Sequence, residues 1–502
     1  RKGTGVHHWA VGGFDGAFLF SMKPAGGPEA AQQVLGLRRA MIDAIKAQDP
    51  SMTDEIASVE LFMRLAEGSG TSPSAFFWHR HAGYDERWRR WTDPTMRRPM
   101  DEYVREAEDA GWWPSARPSR DVEPRVFVEC GGNFLRRQRG GTRHLLESLW
   151  PKLDLVVTVD WRMSTTAMHA DVILPAAQHY EKANYQMPMP RAMGIAFSDR
   201  AVAPAGESKS EFEIMIALAA MIEQRAAARG FDAYTDTRGT ARTISGLRAT
   251  LSKNGAFERA EQVAEEMFAD TLAAGNVAAG TTMDDMRERG FVRFIDWGIS
   301  PYGLTQATDP RPNETLAPFR RHVEQHEPYP TLARRAQFYI EHPWFFEAGE
   351  ELPCHKPPPP QGGDYPIELI SGHNRWSSHS TNQVNRMMLG THRGHPFIFL
   401  NPTDAAARGI ADAGLVRVRN DAGAYETHAR LSPGIAPGLA VMYNGWEPYQ
   451  FPGWHGTADV EPGLVKWLGF AGGYGHLRYW GFEWQPVPND RAIRIEVERT
   501  GA

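Results

Sequence analysis

The segment LDLVVTV at 153–159 is a nearly continuous apolar run, and Asp160 ends it. A strand of that texture belongs in a parallel sheet covered on both faces, because a strand with one wet face alternates instead. Its surroundings repeat the theme. Arg125–Glu129 reads as a strand, Gly131-Gly132-Asn133 as a turn, Thr142–Trp150 as a short helix, and Asp171–Leu174 as a further strand stopped by Pro175. The order strand, glycine turn, helix, strand predicts an α/β unit. Open parallel sheets of this kind bind ligands at the carboxyl ends of their strands.

Upstream, Pro28 opens a predicted amphipathic helix with Val34, Leu37, Met41 and Ile45 on one stripe. A second helix is expected over Thr53–Ala66, a short buried strand over Ala75–Trp78, and an exposed helix over Met100–Ala110 that stops at Gly111. Downstream, Ser210-Glu-Phe-Glu213 is a capping box. It starts a helix with Phe212, Met215, Ala219 and Ile222 in one stripe. Residues 239–290 read as further helices, and 300–335 as irregular and proline-rich. Pro357–Pro360 followed by Gln361-Gly362-Gly363 is a linker. After it come short strands at Ile367–Ile370, Phe397–Leu400, Leu415–Arg419, Tyr425–Ala429 and Leu439–Met442, with a hairpin turn at Asp421–Gly423. That spacing predicts a β-rich barrel domain.

Composition narrows the chemistry. A chain of 502 residues with 42% apolar and 23% charged residues is globular and of multidomain length. A net charge of −6 gives no global field for nucleic acid or anionic lipid. No run of 18 apolar residues spans a membrane. The two cysteines, Cys130 and Cys354, are too few for a disulfide framework, a four-cysteine zinc site or an iron–sulfur cluster. Cys354-His355 matches no zinc spacing. There is no GxGxxG fingerprint, no GxxxxGK[ST] loop and no GxSxG elbow.

Four segments carry possible chemistry. The loop Asp160–Asp171 (DWRMSTTAMHAD) places Ser164, Thr165 and Thr166 directly after a strand. Hydroxyls and backbone N–H groups there suit a phosphate, and Asp160 and Asp171 suit a purine or ribose; the same residues equally make an ordinary N-cap. Gly131-Gly132-Asn133 permits close backbone approach to a ligand, or is a tight turn. Ser371–Ser380 (SGHNRWSSHS) packs His373, His379, Arg375, Trp376 and several hydroxyls into one stretch. It lines a polar ligand or forms a hydrophilic turn around a buried tryptophan. The two histidines are six apart, so a helix would not put them on one face, and Arg375 offers a planar fork to an anion. Finally, FAGGYGHL (Phe470–Leu477) presses glycine backbone against something bulky, or is a bulged turn.

Taken together these blocks resemble one family. Leu153–Lys182 (LDLVVTVDWRMSTTAMHADVILPAAQHYEK) is similar to the signature stretch of the molybdopterin-guanine-dinucleotide oxidoreductases, the dimethyl sulfoxide reductase superfamily. Glu368–Thr381 (ELISGHNRWSSHST) and Gly409–Tyr425 (GIADAGLVRVRNDAGAY) resemble its C-terminal dinucleotide-binding domain, a double-psi β-barrel. HNRWSSHST resembles the type II subgroup of nitrate, selenate and chlorate reductases, dimethyl sulfide dehydrogenase and ethylbenzene dehydrogenase. GWWPSA (Gly111–Ala116), GGNFLRR (Gly131–Arg137) and AGGYGHL (Ala471–Leu477) resemble the branch of ethylbenzene dehydrogenase and steroid C25 dehydrogenase.

The resemblance implies an α/β fold with a parallel-sheet dinucleotide-binding domain and helical insertions over 124–235. A helical and irregular connecting region follows over 236–356, and the double-psi β-barrel over 357–502. Residues 1–123 would complete an upstream domain and a substrate funnel. The implied cofactor is molybdenum bis(molybdopterin guanine dinucleotide). By the same resemblance Gly131, Gly132, Asn133, Asp160, Met163, Ser164, Thr166 and Asp171 line one dinucleotide arm. Ser371, His373, Arg375, Trp376, Ser377, His379 and Ser380 meet the pterin and its phosphates, with Asn444, Tyr474 and His476 beside them. Asp15, and His79 or His81, are candidate acid–base groups near the metal, and the Phe76–Trp78 and Trp112-Trp113 aromatics are candidate funnel walls. The family's cysteine motif for a [4Fe–4S] cluster and its metal-ligating aspartate have no counterpart in these residues. With a first residue that is not Met, this leads to the expectation of the C-terminal portion of a catalytic α subunit, with the cluster in the missing N-terminal portion.

The activity implied is water-dependent hydroxylation of an unactivated C–H bond in a hydrocarbon-like small molecule. The alternatives are an oxyanion reductase of the same subgroup and a non-catalytic cofactor-binding fragment. An iron–sulfur β subunit, a haem γ subunit and a periplasmic location are further expectations from the resemblance, against a cytoplasmic alternative.

Overall fold

The computed structural model describes residues 27–69, 81–90, 93–112, 123–138, 140–186, 194–236, 239–273, 277–293, 319–329, 331, 333–375, 377, 379–391, 394–464, 466–473 and 492–500. Three strands, β1 (Val126–Cys130), β2 (Leu155–Asp160) and β3 (Val172–Pro175), pair in parallel in that order. Val128 stands opposite Val157, which stands opposite Val172. The expected cover on both faces is incomplete. The helix Glu211–Ala228 lays Ile214 and Leu218 over Cys130, Val159 and Leu174, at the carboxyl ends of the strands. It does not reach the start of the same face, where Val126 and Val128 are more than half exposed. On the opposite face Phe127 packs against Phe134 and Trp150.

The capping box forms as read, with the Ser210 side chain accepting from the Glu213 N–H and the Glu213 carboxylate accepting from the Ser210 N–H. The single apolar stripe does not. Phe212 and Ile216 pack toward the helix Ala260–Ala273, Ile214 packs toward the sheet, and Ile222 is half exposed. The helix has two partners on different sides, so its buried residues spread around it. The region after it contains the expected helices, and strands outside the sequence reading lie on both sides of it in the chain. β4 (Asn184–Gln186), β5 (Gly194–Ser198) and β8 (Phe291–Arg293) make an antiparallel sheet, and β6 (Ala233–Thr235) and β7 (Ala241–Thr243) a hairpin.

Six strands close into a barrel: β9 (Ile367–Ile370), β10 (Phe397–Leu400), β11 (Leu415–Arg419), β12 (Ala424–Leu431), β13 (Leu439–Met442) and β14 (Ile493–Arg499), ordered β10-β12-β11-β14-β9-β13. β10–β12 and β9–β13 pair in parallel, the other neighbours antiparallel. The barrel was expected and five of its strands were read. The linker ends sooner than expected, since Gln361 is buried and bridges to Ile493.

A separate core ties distant segments together. Tyr103, Leu135, Leu145, Trp344, Trp467 and Phe470 are all buried in it. The Tyr103 ring lies 4.9 Å from Trp344 and 4.3 Å from Trp467. This corrects the reading of Met100–Ala110 as an exposed helix: the helix runs over Met100–Asp109, and Met100, Tyr103, Val104 and Ala107 form its buried face. Near the N-terminus the helices Gly27–Gln48 and Asp54–Ser69 pack through Ile42, Ile45, Ala57 and Leu61, while Leu37 faces solvent. The strand expected at Ala75–Trp78 lies outside the described residues.

Candidate functional site

The loops at the carboxyl ends of β1 and β2 meet the barrel at one buried carboxylate. The turn after β1 is set by its backbone. Gly131 takes φ +63° and donates its N–H to Val159 O at 2.9 Å, and Asn133 is left-handed at φ +59°. Gly132 lies against the Glu129 side chain, and a Cβ there, 2.1 Å from Glu129 Oε1, would displace that carboxylate. What presses on this glycine is the protein's own side chain, so the tight-turn reading describes it.

The loop after β2 is saturated from within. Ser164 Oγ accepts from the Ala167 N–H, so the N-cap reading holds for that hydroxyl. The Thr166 N–H donates to Asn133 Oδ1 at 3.3 Å, and Thr166 Oγ1 accepts from the Leu135 N–H at 3.1 Å. Asp160 Oδ1 accepts from the Trp161 N–H at 2.8 Å, and Asp171 Oδ2 from the Val156 N–H at 2.7 Å. Met163 contributes its carbonyl, which accepts from Tyr449 Oη at 2.9 Å.

Glu447, from the barrel segment after β13, sits where the sequence suggests a phosphate. It is fully buried. Asn133 Nδ2 donates to both its oxygens at 2.8 and 2.9 Å, Arg162 Nη1 to Oε1 at 2.5 Å, and the Thr165 N–H and Oγ1 to Oε2 at 3.1 and 2.6 Å. Arg162 Nη2 reaches on to Ser380 Oγ at 3.0 Å. One carboxylate and one guanidinium thus join the turn 131–133, the loop 160–168, the segment 371–380 and the segment 444–450. Sequence reasoning missed Glu447 and Arg162. The available signal was an acid wedged between Trp446 and Pro448, a setting in which a charge needs a buried partner.

The electrostatics follow. Burial alone would push the Glu447 carboxyl up, but the Arg162 charge and the hydrogen bonds from Thr165, Arg162 and Asn133 outweigh it and hold it below the ordinary range. Burial pushes Glu129 up to about 7 against hydrogen bonds from Thr166 and the Phe134 N–H. Burial likewise raises Asp160 and takes the Cys130 thiol up to about 12, so Cys130 is an inert packing residue.

In the barrel segment, Ser371, His373 and Arg375 are exposed, and Ser377, His379 and Ser380 half-buried. The His373 and His379 rings come within 4.6 Å edge to face, on an irregular segment where His379 is left-handed at φ +54°. Ser377 Oγ donates to His379 O at 2.8 Å. The Asn444 N–H donates to Gly372 O at 2.9 Å, which joins Asn444 to this segment. Trp376, Tyr474, His476, Asp15 and His79 lie outside the described residues. Among the described residues no group of three His, Cys, Asp or Glu side chains could hold a metal ion.

Several buried polar atoms here have no partner: Asn444 Oδ1, both amide atoms of Gln383, and Arg136 Nε. Such groups are costly unless a ligand or water satisfies them. They lie in or next to the segments that the sequence singles out, so the residues present fit an extended polar ligand held between the α/β unit and the barrel. That arrangement is a polar site with two walls, one from the α/β unit and one from the barrel.

Comparison with known proteins then fixes the family. Residues 134–221 match the family described as Molybdopterin oxidoreductase, and residues 367–460 the Molydopterin dinucleotide binding domain. The respiratory nitrate reductase subunit alpha of Haloferax mediterranei is 33% identical over 451 residues, covering 86% of this chain and 44% of that protein. The dimethylsulfide dehydrogenase subunit alpha of Rhodovulum sulfidophilum is 32% identical, covering 79% and 42%. The perchlorate reductase subunit alpha of Dechloromonas aromatica is 31% identical, covering 80% and 41%. The chain belongs to the molybdopterin oxidoreductases of the dimethyl sulfoxide reductase superfamily, whose domains matched here bind molybdenum bis(molybdopterin guanine dinucleotide). It spans less than half the length of these curated relatives.

Proposed function

We propose that this chain forms the dinucleotide-clamping part of the catalytic subunit of a molybdenum oxidoreductase. The carrying observation is the pair of family matches, one in the α/β unit and one in the barrel, together with the Glu447–Arg162 junction between them; both support a reading in which the strand-end loops and the barrel segment 371–380 face one site. Bound molybdenum supplies two-electron redox change with oxygen-atom transfer. The chain's own part is to bind and orient. Ser371, His373, Arg375 and His379 would offer hydroxyl, imidazole and guanidinium donors to phosphates and pterin, while the Ser377 hydroxyl, donating to His379 O, braces the segment. Gln383 and Asn444 bring amide groups that want a partner. The buried Trp344–Trp467–Phe470 core keeps the two faces together and keeps water out behind them.

On the substrate we propose oxygen-atom chemistry of the type II subgroup. The narrower sequence reading, hydroxylation of an unactivated C–H bond, draws its support from GWWPSA, GGNFLRR and AGGYGHL. In the structure two of these touch, with Trp112 against Gly472 and Gly473 so closely that a Cβ on either would collide with its ring. The nitrate and perchlorate reductases named above favour the alternative reading, an oxyanion reductase of the same subgroup, while the dimethylsulfide dehydrogenase stands on the dehydrogenase side. Electrons would pass to a partner subunit, since those relatives are alpha subunits.

The test is on the full-length enzyme with its partner subunits. Molybdenum and released guanosine monophosphate are expected to co-purify with it. Turnover is then compared for nitrate and chlorate with a reduced viologen, and for dimethyl sulfide and ethylbenzene with an oxidising dye. Absence of molybdenum and guanine nucleotide from active-looking, folded protein would overturn the reading.

A further inference from the structure

We infer that Glu447 is a positioning residue that fills an anion socket from within the protein and thereby sets the register of the two cofactor-binding faces. The inference rests on the cofactor reading above and adds how the site is held.

The socket is built from the α/β unit alone. The Asn133 amide, the Arg162 guanidinium, and the Thr165 N–H and hydroxyl converge on one small volume. Four donor groups around a carboxylate define its pose in a way that a hydrophobic plug would not. Ion pairs this deep are not retained for stability alone, because desolvation offsets much of the attraction. What the geometry gains is specification. Arg162 is held at one nitrogen by Glu447 and at the other by Ser380, so the position of the barrel segment follows from the carboxylate. Asn133 carries the same constraint to the other side, because its amide oxygen accepts from the Thr166 N–H while its nitrogen holds Glu447. Gln450 completes the linkage. It accepts from the Glu447 N–H at 2.9 Å and donates to Gln383 O at 2.8 Å, next to the unpartnered Gln383 amide.

The barrel is docked independently of this socket. The Gly140 N–H donates to Glu461 O at 2.9 Å, Arg87 Nη1 donates to Pro462 O at 3.2 Å, and Trp467 and Phe470 are buried in the shared core. These contacts do not involve Glu447, so loss of the carboxylate is expected to leave the fold in place and to isolate its positioning effect.

The experiment uses full-length holoenzyme. Glu447→Ala opens a cavity that still carries all four donor groups. Its cofactor is expected to dissociate roughly tenfold faster than from wild type, the change that about 1.4 kcal/mol of lost positioning produces. The Mo(V) resonance should broaden as the cofactor loses its fixed orientation. Added acetate or formate should restore both retention and line shape in Glu447→Ala. It should do nothing in Glu447→Leu, where the socket is plugged by an apolar side chain. Glu447→Gln, which keeps the shape and loses the charge, should fall between wild type and Glu447→Ala. If Glu447→Ala does not fold, Glu447→Gln and Ser380→Ala measured singly and together take its place, and positioning through Arg162 requires their effects on dissociation to be non-additive. Wild-type retention in Glu447→Ala, failure of acetate to rescue it, or additivity in the double variant would each overturn the inference. Wild-type enzyme lacking molybdenum and guanine nucleotide would instead overturn the cofactor reading, so the two failures are distinguishable.

Discussion

Glu129, next to the last residue of β1, has a carboxyl held at about 7, far above its ordinary value near 4.5, because it is buried beside Asp160. The sign of its pH effect follows. A raised folded-state value contributes stability that is fully present below pH 4.5 and is lost as pH climbs through about 7. Glu129→Gln keeps the shape and removes the titration. It is expected to leave the melting temperature almost unchanged at pH 5 and to raise stability at pH 8 by up to about 3 kcal/mol. His144, lowered to about 4 by burial and the Arg87 charge, acts in the opposite direction, but it is common to both proteins and cancels. An equal difference at both pH values would refute the argument. Gly141 is a second residue with a sharp demand. It has φ +84°, and a Cβ would lie 1.9 Å from Asp459 Oδ1 and 3.0 Å from the Asp459 Cα. Gly141→Ala should cost about 2–3 kcal/mol, read from a denaturation midpoint. Gly131 and Gly132 were legible as glycines that shape a turn. Which neighbour needed the space was not, since Glu129 reaches Gly132 only after the turn folds back.

Among elements, β2 shows how far local pattern goes. The run at 153–159 located the strand and its parallel partners correctly, because continuous β-branched residues suit a buried pleated surface. It overstated the cover. One helix rests on the carboxyl ends of the strands, and Val126 and Val128 stay open. Val159→Ala is therefore expected to cost about 2–3 kcal/mol, whereas Val128→Thr should change stability by less than about 0.5 kcal/mol. Comparable losses from the two substitutions would contradict the partial cover. Two elements could have been read better. Met100, Tyr103, Val104 and Ala107 recur at helical spacing and mark a buried face, and IRIEVER at 493–499 alternates as a barrel strand should. The helix Glu211–Ala228 could not, since a stripe split between two partners blurs the period.

On the scale of the molecule, the core around Tyr103, Trp344 and Trp467 joins segments up to several hundred residues apart. Trp467 is buried, and its indole N–H donates to Thr95 Oγ1 at 3.1 Å. Trp467→Ala should cost about 3–5 kcal/mol. Hydrogen exchange should show Met100–Asp109 and Trp467–Phe470 losing protection together while β9–β14 keep theirs. Independent behaviour of those two segments would mean that the core does not couple them. The sequence by itself determined the parallel unit, the barrel and the family, because each of these is written in short runs whose period and residue types are local. Only the tertiary structure decided what fills the socket after β2. Hydroxyls and N–H groups at a strand end specify an anion but not its source, and the anion that reaches Thr165 is Glu447, 282 residues along the chain. Such a pairing depends on where the barrel docks, which the apolar core fixes and no local pattern encodes.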